Sequence, residues 1–401
     1  VVLLILLALF EGTAAHSWPE RTIRIAPNGT MVGLPGYERQ HWARGTPGIS
    51  DANNTWLLPP NGRPDGKIIH PDDKIVREGQ RTLKYSDEFP MLKVAPGDFV
   101  AISYLENGHV SGPDKEGLPI KPINRGTVYL YGTTENDLTN YNLVDIHLKW
   151  TADGTGGDGK GKLLATRNYD DGQCYEAIPA TGDTEGIITH RKSVLNNDVN
   201  LMCQSDLQIP DDLAPNTTFT VIWVWDWPTM SDRGAAVSPA TYHANSSDYG
   251  DIYVKEPEIY TGVVDFEVVD SCDASLGEIK GPHCVANTSA AAANKKGVAR
   301  VFAAQEVATL AGVKAQMANN FLVKVPQAGI NVSTATANPS NIPLGALIGT
   351  TSQVAFPLPT SIQNAVVAAP GTYLPTASAG PAAPAASATA LPNLGGGGGG
   401  G

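Results

Sequence analysis

The run from Phe219 to Trp227, FTVIWVWDW, is the sequence feature that most constrains the fold of this chain. Every second residue of this run from position 221 is apolar, and because side chains alternate along a β-strand, these four lie on one face: Val221, Trp223, Trp225 and Trp227. Three tryptophans on one strand face are typical of the core of a β-sandwich, and a sugar-stacking surface is the alternative interpretation. The run therefore predicts a central strand.

Other short alternating runs predict strands at 22–26, 99–105, 127–131, 145–150 and 259–269. The chain has 42 Gly and 30 Pro among its 401 residues, a density that interrupts long helices and favours turns. Together these patterns predict an all-β fold, an antiparallel immunoglobulin-like or fibronectin-like β-sandwich with long loops.

The charge balance excludes some classes of partner. Lys and Arg number 28 against 40 Asp and Glu, a formal net charge of −12. Nucleic acids and anionic membranes bind basic surfaces that release counterions, so neither is an expected partner. We also expect no transmembrane helix, and we expect a monomer.

The first fifteen residues are expected to be a secretory signal. Residues 1–10, VVLLILLALF, are apolar but shorter than the roughly 20 residues that span a bilayer. Small residues follow up to Ala15, as signal peptidase prefers. Because a starting Met and a basic segment are missing, we expect this signal to be truncated at its N-terminus.

Secretion agrees with the cysteines and the glycosylation motifs. Four cysteines allow three disulfide pairings in an oxidising compartment, and proximity in sequence favours Cys174–Cys203 and Cys272–Cys284. Acceptor motifs for N-glycans occur at six positions, which are Asn28, Asn53, Asn216, Asn245, Asn287 and Asn331.

The composition changes after the last cysteine. Residues 285–324 are Ala-rich and could form one or two helices, whereas residues 325–401 contain no Asp, Glu, Lys or Arg. A charge-free segment of Ala, Pro, Ser, Thr and Gly is typical of a linker or an O-glycosylated stalk. We therefore expect the chemistry within a sandwich domain at 16–284.

Cleavage after Ala15 would make His16 the first residue of the mature protein. An N-terminal His offers its α-amine and its ring Nδ1 to one metal ion, and both groups lose their protons near neutral pH. A third nitrogen from another imidazole would complete a T-shaped set that suits Cu(II). If cleavage falls after Ala14 instead, His16 is incidental.

Two parts of the sequence resemble known families. The segments His16-Ser-Trp-Pro-Glu20 and Glu258-Ile-Tyr260 are similar to motifs of copper-dependent lytic polysaccharide monooxygenases and their histidine-brace relatives. The chain more closely resembles an uncharacterised family of fungal secreted proteins over residues 16–270. The stretches shared with that family are 26–30 (APNGT), 168–175 (NYDDGQCY) and 223–228 (WVWDWP).

The resemblance to histidine-brace proteins implies a ligand set for one copper ion per chain. His16 would supply its amine and Nδ1, and His109, in 106–113 (ENGHVSGP), is similar to the second brace histidine. Tyr260 matches the axial tyrosine of a Q-x-Y motif, with Glu258 in the place of the glutamine. The implied activity is oxidative cleavage of a polysaccharide or cell-wall glycan.

Alternatives remain for the second ligand and for the function. His41, His147 and His243 are rival ligands, with His147 interpreted as a strand residue and the other two as solvated loop residues. Three loop tryptophans could shape a substrate surface, namely Trp18, Trp42 and Trp56. The same ligands would serve a non-catalytic copper-binding or delivery protein. A structural or adhesive wall protein is a third hypothesis, in which His16 has no chemical role.

Overall fold

The structure is a computed structural model, and it describes residues 16–26, 31–66, 68–111, 121, 125–176, 186–195, 200–232, 252–284 and 320. Its strands are β1 (Arg21–Ile25), β2 (Met31–Gly36), β3 (Leu57–Leu58), β4 (Leu92–Val94), β5 (Phe99–Tyr104), β6 (Thr127–Thr133), β7 (Gly161–Asn168), β8 (Cys203–Gln208), β9 (Thr217–Asp226), β10 (Thr229–Asp232), β11 (Ile252–Glu256) and β12 (Ile259–Val268). Its helices are α1 (Leu143–Ile146) and α2 (Ile187–Leu195).

Two sheets form the sandwich. The first has the strand order β2-β1-β5-β8, and the second has β3-β12-β9-β6-β7 with β4 added in parallel to β12. Every other strand pair in the two sheets is antiparallel. A separate two-stranded sheet pairs β10 with β11. The predicted all-β antiparallel sandwich is confirmed.

The central strand β9 explains why the sandwich has two apolar layers. Trp223 and Trp225 on its inner face are fully buried between the sheets, which confirms the core interpretation of the tryptophan run. Ile222 and Val224 on its outer face are also buried, in a second apolar cluster with Trp150. Because both faces of β9 lie against apolar side chains, the sequence of this strand is almost continuously hydrophobic.

The strand predicted at 145–150 is wrong. This segment begins instead with the short helix α1, and His147 follows it as the C-terminal cap. The Asp145 carboxylate accepts the N–H of Asn142 at 2.9 Å, one half of a reciprocal capping box. This local hydrogen bonding outweighs the alternation of apolar residues that suggested a strand.

Both predicted disulfides are present, Cys174–Cys203 and Cys272–Cys284. A buried ion pair also ties distant parts of the chain together. The Arg39 guanidinium donates to both carboxylate oxygens of Asp265 on β12, at 2.6 and 2.8 Å, and neither side chain is exposed.

Several predictions fall outside the described residues. They are the signal at 1–15, the ligand candidate His243, the Ala-rich segment at 285–324 apart from residue 320, the tail at 325–401 and four glycosylation motifs, at Asn28, Asn245, Asn287 and Asn331. The remaining two motif residues, Asn53 and Asn216, are exposed. None of the helices in the described part is long and apolar enough to span a bilayer.

Candidate metal centre

The N-terminal segment 16–20 runs beside the end of β5. The N–H of Glu20 donates to the carbonyl of Ser103 at 2.8 Å, and the Ser17 hydroxyl donates to the carbonyl of Leu105 at 3.0 Å. The side-chain amide of Asn107 donates to the carbonyl of His16. The antiparallel pairing of β1 with β5 thus continues beyond both strands and brings His16 to the loop that carries His109.

A buried carboxylate holds this loop in shape. Glu106 has no exposed surface and accepts the N–H of Val110 at 2.6 Å, the N–H of Ser111 at 3.2 Å and the Ser111 hydroxyl. It also accepts the N–H of Glu176 at 2.9 Å, two residues after the disulfide-bonded Cys174. The loop is therefore anchored to a cross-linked part of the sandwich.

Local backbone geometry turns the His109 side chain inward. Asn107 and Gly108 both have positive φ, at 45° and 81°, which asparagine and glycine tolerate better than other residues. The N–H of His109 then donates to the carbonyl of Glu106 at 2.9 Å and closes the turn.

The His109 ring packs edge-on against the tryptophans of the central strand region. Its centroid lies 5.1 Å from that of Trp225 and 4.6 Å from that of Trp227. Its Nε2 atom is buried and has no hydrogen-bond partner among the described residues. Burial, with a smaller contribution from the nearby Lys121, lowers the pKa of His109 to about 3. The ring is therefore neutral at physiological pH and has a nitrogen available to a ligand.

His16 lies beside the loop that carries His109, since its carbonyl accepts the hydrogen bond from Asn107. Its charge contributes to lowering the pKa of the His109 ring. Partial burial lowers the pKa of His16 itself, while Asp51 raises it and Arg44 lowers it. The structure thus brings together two histidines that are 93 residues apart in sequence, both biased toward the neutral form that metal ions require.

A loop is fastened beside His16 by one arginine. Arg44 donates to Glu20 at 2.5 Å and to Asp51 at 3.0 Å, and its guanidinium carbon lies 3.8 Å from the ring centroid of Trp18. Trp18 is fully buried, whereas Trp42, two residues before Arg44 in the loop, is 38% exposed. Trp56 is partly buried, and its indole N–H donates to the carbonyl of Lys74 at 2.9 Å.

Tyr260 on β12 is buried directly across from Trp225 on β9 and stacks on it with a centroid distance of 5.0 Å. Its hydroxyl donates to Glu258 at 2.8 Å. Burial raises the pKa of Tyr260 well above its ordinary value, and Glu258 raises it further, so the phenol stays protonated. Tyr260 and His109 therefore contact the same tryptophan.

Lys121 completes this group and was not predicted. Its ammonium donates to the second oxygen of Glu258 at 2.7 Å and to the carbonyl of Trp227 at 3.2 Å, and it lies 3.9 Å from the centroid of that indole. Lys121 is 137 residues from Glu258 and belongs to no recognisable motif, so no sequence signal could have found it.

Glu176 is a second residue that the sequence did not single out. The backbone of Gly108, next to His109, lies near enough to lower the pKa of the Glu176 carboxylate. Burial, together with the neighbouring carboxylate of Glu106, raises the pKa of Glu176 to about 7.

The rival histidines have other roles in the structure. His147 is buried; its Nδ1 lies 3.1 Å from the Tyr131 hydroxyl and its Nε2 lies 3.3 Å from Asp226. The prediction that His41 is solvated is wrong. Its ring packs between Tyr37 and Phe89, where burial lowers its pKa to about 4.

One cluster of possible metal ligands in the described residues is not a free site. The ligand atoms of Asp171, Cys174 and Cys203 lie within 4.8 Å of one another, but the two sulfurs are joined in a disulfide. The Asp171 carboxylate instead accepts the N–H groups of Gln173 and Cys174 at 2.9 and 3.0 Å.

Comparison with known proteins gives a family and remote structural likenesses. A family model described as a domain of unknown function (DUF7492) matches residues 13–296, well over half of the chain. No curated protein matches. A cellulose-active polysaccharide monooxygenase from M. thermophila is 14% identical with a TM-score of 0.26, and the match covers 66% of this chain and 84% of that one. A structure named CvAA9A is 10% identical with a TM-score of 0.21, and the match covers 49% and 65% of the two chains. At such values neither likeness carries a functional argument.

Proposed function

We propose that this chain, which belongs to the DUF7492 family, is a secreted protein that binds one copper ion through His16 and His109. The observation that supports this proposal best is the buried Nε2 of His109, which has no hydrogen-bond partner in the described residues. An unsatisfied buried polar atom costs roughly 1–3 kcal/mol, so a bound ligand at this nitrogen would remove a real penalty.

The donor set fits copper. Both imidazoles are biased toward their neutral forms by burial, and a neutral imidazole is a good ligand for Cu(II). If signal cleavage leaves His16 as the first residue, its α-amine adds a third nitrogen. The aromatic rings around His109 would exclude water from one side of the ion.

We further propose that the protein oxidises a polysaccharide. Copper bound at the two histidines would supply one-electron chemistry with O2 or H2O2 for oxidation of a sugar C–H bond. Among the residues of this chain, Tyr260 would limit access to the ion from its side of the site, and Glu258 would orient groups near the site. Trp42 is exposed in the loop that Arg44 fastens beside His16, and its indole offers a flat surface for a sugar ring.

One observation favours a second candidate, a copper-binding or delivery protein without oxidase activity. Both carboxylate oxygens of Glu258 are already engaged, one by the Tyr260 hydroxyl and the other by Lys121. A carboxylate held in this way has less freedom to act on a substrate or oxidant than the same side chain with a free oxygen.

Copper titration of the processed protein is the experiment that tests the shared part of both candidates. Isothermal titration and EPR should show one tightly bound Cu(II) per chain with axial nitrogen coordination. Either His109→Ala or one extra residue before His16 should weaken copper binding at least about a hundredfold, because each removes a ligand. His283→Ala is the matched control, since that histidine is exposed and contacts Asp211 at 3.1 Å. Copper binding that ignores His16 and His109 would overturn the proposal.

A second assay separates the two candidates. The copper-loaded protein would be incubated with cellulose, chitin and xylan, a reductant and H2O2, and the soluble products analysed by mass spectrometry. Oxidised oligosaccharides that disappear in His109→Ala would support the monooxygenase. Tight copper binding with no oxidised product on any of these substrates would favour capture or delivery.

A further inference from the structure

Lys121 places a buried positive charge beside the aromatic rings that surround His109. Only 9% of its side chain is exposed, and the side chain of its partner Glu258 is 15% exposed. A lysine ammonium is strongly hydrated in water, so a protein buries it only where other groups replace that water. The replacing groups are the Glu258 carboxylate at 2.7 Å, the carbonyl of Trp227 at 3.2 Å and the face of the Trp227 indole at 3.9 Å. These contacts fix the ammonium in one place.

The same indole connects this charge to His109. The centroid of the Trp227 ring lies 4.6 Å from the centroid of His109 and 3.9 Å from the Lys121 nitrogen. The ammonium is therefore at most about 9 Å from the centre of the imidazole, a distance at which a buried charge still acts strongly. Trp227 is only 7% exposed, so little water screens the interaction.

The charge of Lys121 acts on the imidazole. Burial is the main cause of the low pKa of His109, and the charge of Lys121 is the largest of the electrostatic causes. A positive neighbour that disfavours a proton on this ring also disfavours a metal cation bound to it. Because the repulsion grows with the product of the two charges, it is greater for a divalent ion than for a monovalent one.

We infer that Lys121 sets the balance between the two oxidation states of a copper ion at His16 and His109, in favour of Cu(I). This inference rests on the proposed function, because it needs copper at the two histidines. When an ene-diol reductant gives one electron to Cu(II) and releases a proton to water, the charge of the ion falls by one unit. A fixed positive charge nearby makes that step more favourable, so Lys121 acts through its charge and does not need to touch the ion.

Glu258 allows the sign of the effect to be tested. Its carboxylate is paired with the Lys121 ammonium and weakens the positive field at the site. Lys121→Met removes the positive charge, and the unbranched side chain of methionine can still pack on the Trp227 indole. Glu258→Gln removes the negative charge instead. The two variants should therefore shift the balance in opposite directions.

Competition titrations of the full processed chain measure this balance. Cu(II) binding is measured by EPR against a nitrogen chelator, and Cu(I) binding is measured without oxygen against bicinchoninate, with ascorbate as the ene-diol reductant. A unit charge at about 9 Å, with an effective dielectric constant of about 20, changes the ratio of the Cu(I) to the Cu(II) association constant by more than about tenfold. With partial screening, the ratio should fall at least about fivefold in Lys121→Met and should rise in Glu258→Gln.

Two further variants separate charge from contact. Lys121→Arg keeps the positive charge and should keep the ratio within about twofold of wild type. Lys160→Met is the matched control for net charge, because Lys160 is 54% exposed and its ion pair with Glu135 spans 3.4 Å. This control should also stay within about twofold of wild type, since water and salt screen an exposed charge. Other charges around the site, such as that of Glu106, are the same in all these variants.

The results distinguish this inference from the proposed function. If both ions bind in a manner that needs His109 but the ratio in Lys121→Met equals that of wild type, only the inference is overturned. An equal fall in Lys121→Met and Lys121→Arg would also overturn it, because contact rather than charge would then explain the change. A fall in Glu258→Gln would contradict the sign. If His109→Ala leaves copper binding unchanged, the proposed function fails, and the inference fails with it.

Discussion

Glu106→Ala should destabilise the protein more than most single substitutions in it. The Glu106 carboxylate is fully buried and accepts three backbone N–H groups, from Val110, Ser111 and Glu176. An alanine at this position would leave the N–H groups of Val110 and Ser111 without an acceptor, at about 1–3 kcal/mol each, whereas the N–H of Glu176 keeps the Ser111 hydroxyl at 2.9 Å. With partial rehydration of the cavity, we expect the free energy of unfolding to fall by roughly 3–5 kcal/mol.

Urea unfolding at pH 7, followed by near-UV circular dichroism, measures this loss. Glu135→Ala is the matched control, because Glu135 is exposed and its ion pair with Lys160 spans 3.4 Å. An exposed pair of this kind contributes at most about 1 kcal/mol. If Glu106→Ala costs less than about 1 kcal/mol, the carboxylate does not hold the 106–111 loop and our explanation of how His109 is positioned is wrong.

Three further predictions concern stability. Asp265→Asn should lower the free energy of unfolding by about 3–5 kcal/mol, because it leaves the buried Arg39 charge unpaired. The double variant Arg39→Met with Asp265→Leu should recover part of that stability. A double variant that unfolds at lower urea than Asp265→Asn would contradict this prediction. His41 has a pKa of about 4 in the fold against about 6.5 unfolded, so its contribution is lost as pH falls from 6.5 to 4. His41→Phe removes this titration. Its free energy of unfolding, measured in urea relative to that of wild type, should therefore be roughly 2–3 kcal/mol more favourable at pH 4 than at pH 7. If the difference between variant and wild type is the same at both pH values, the assignment is refuted. Replacing both Cys174 and Cys203 by alanine opens a loop with a sequence separation of 29 residues, and it should lower the free energy of unfolding by about 3–4 kcal/mol. Equal urea midpoints for this variant and the wild type would exclude that contribution.

The sequence was a good guide to the sheets because their signal is local. The tryptophan run in β9 and the alternating run in β12 each contain their own periodicity, and the two strands pair along ten residues from Ile259↔Asp226 to Val268↔Thr217. The disulfides were also predicted, since each links cysteines that are near in sequence.

The two failures have different physical causes. The 145–150 segment was misread although a local signal was present, because the Asp145 carboxylate three residues after Asn142 accepts its N–H and starts the helix α1. The alternating apolar residues of this segment pack into the second apolar cluster, with Trp150, from a helix and a turn. His41 was misread because its burial depends on Phe89, which is distant in sequence, as well as on the nearby Tyr37.

The candidate site shows the same limit more sharply. Sequence chemistry singled out His16, and only a resemblance singled out His109 and Tyr260. The roles of Lys121 and Glu176 arise from side chains that meet across the fold, so they become visible only in three dimensions. The metal ligands themselves remain a prediction.

The edge-on packing of His109 against two tryptophans gives the protein an intrinsic optical probe. Indole emission is quenched by Cu(II) at short range, and the His109 ring lies only 5.1 and 4.6 Å from the rings of Trp225 and Trp227. A copper ion held by His109 would therefore quench the fluorescence of these two tryptophans most strongly. Site occupancy could then be followed continuously in the unlabelled protein, even in a mixture with insoluble polysaccharide.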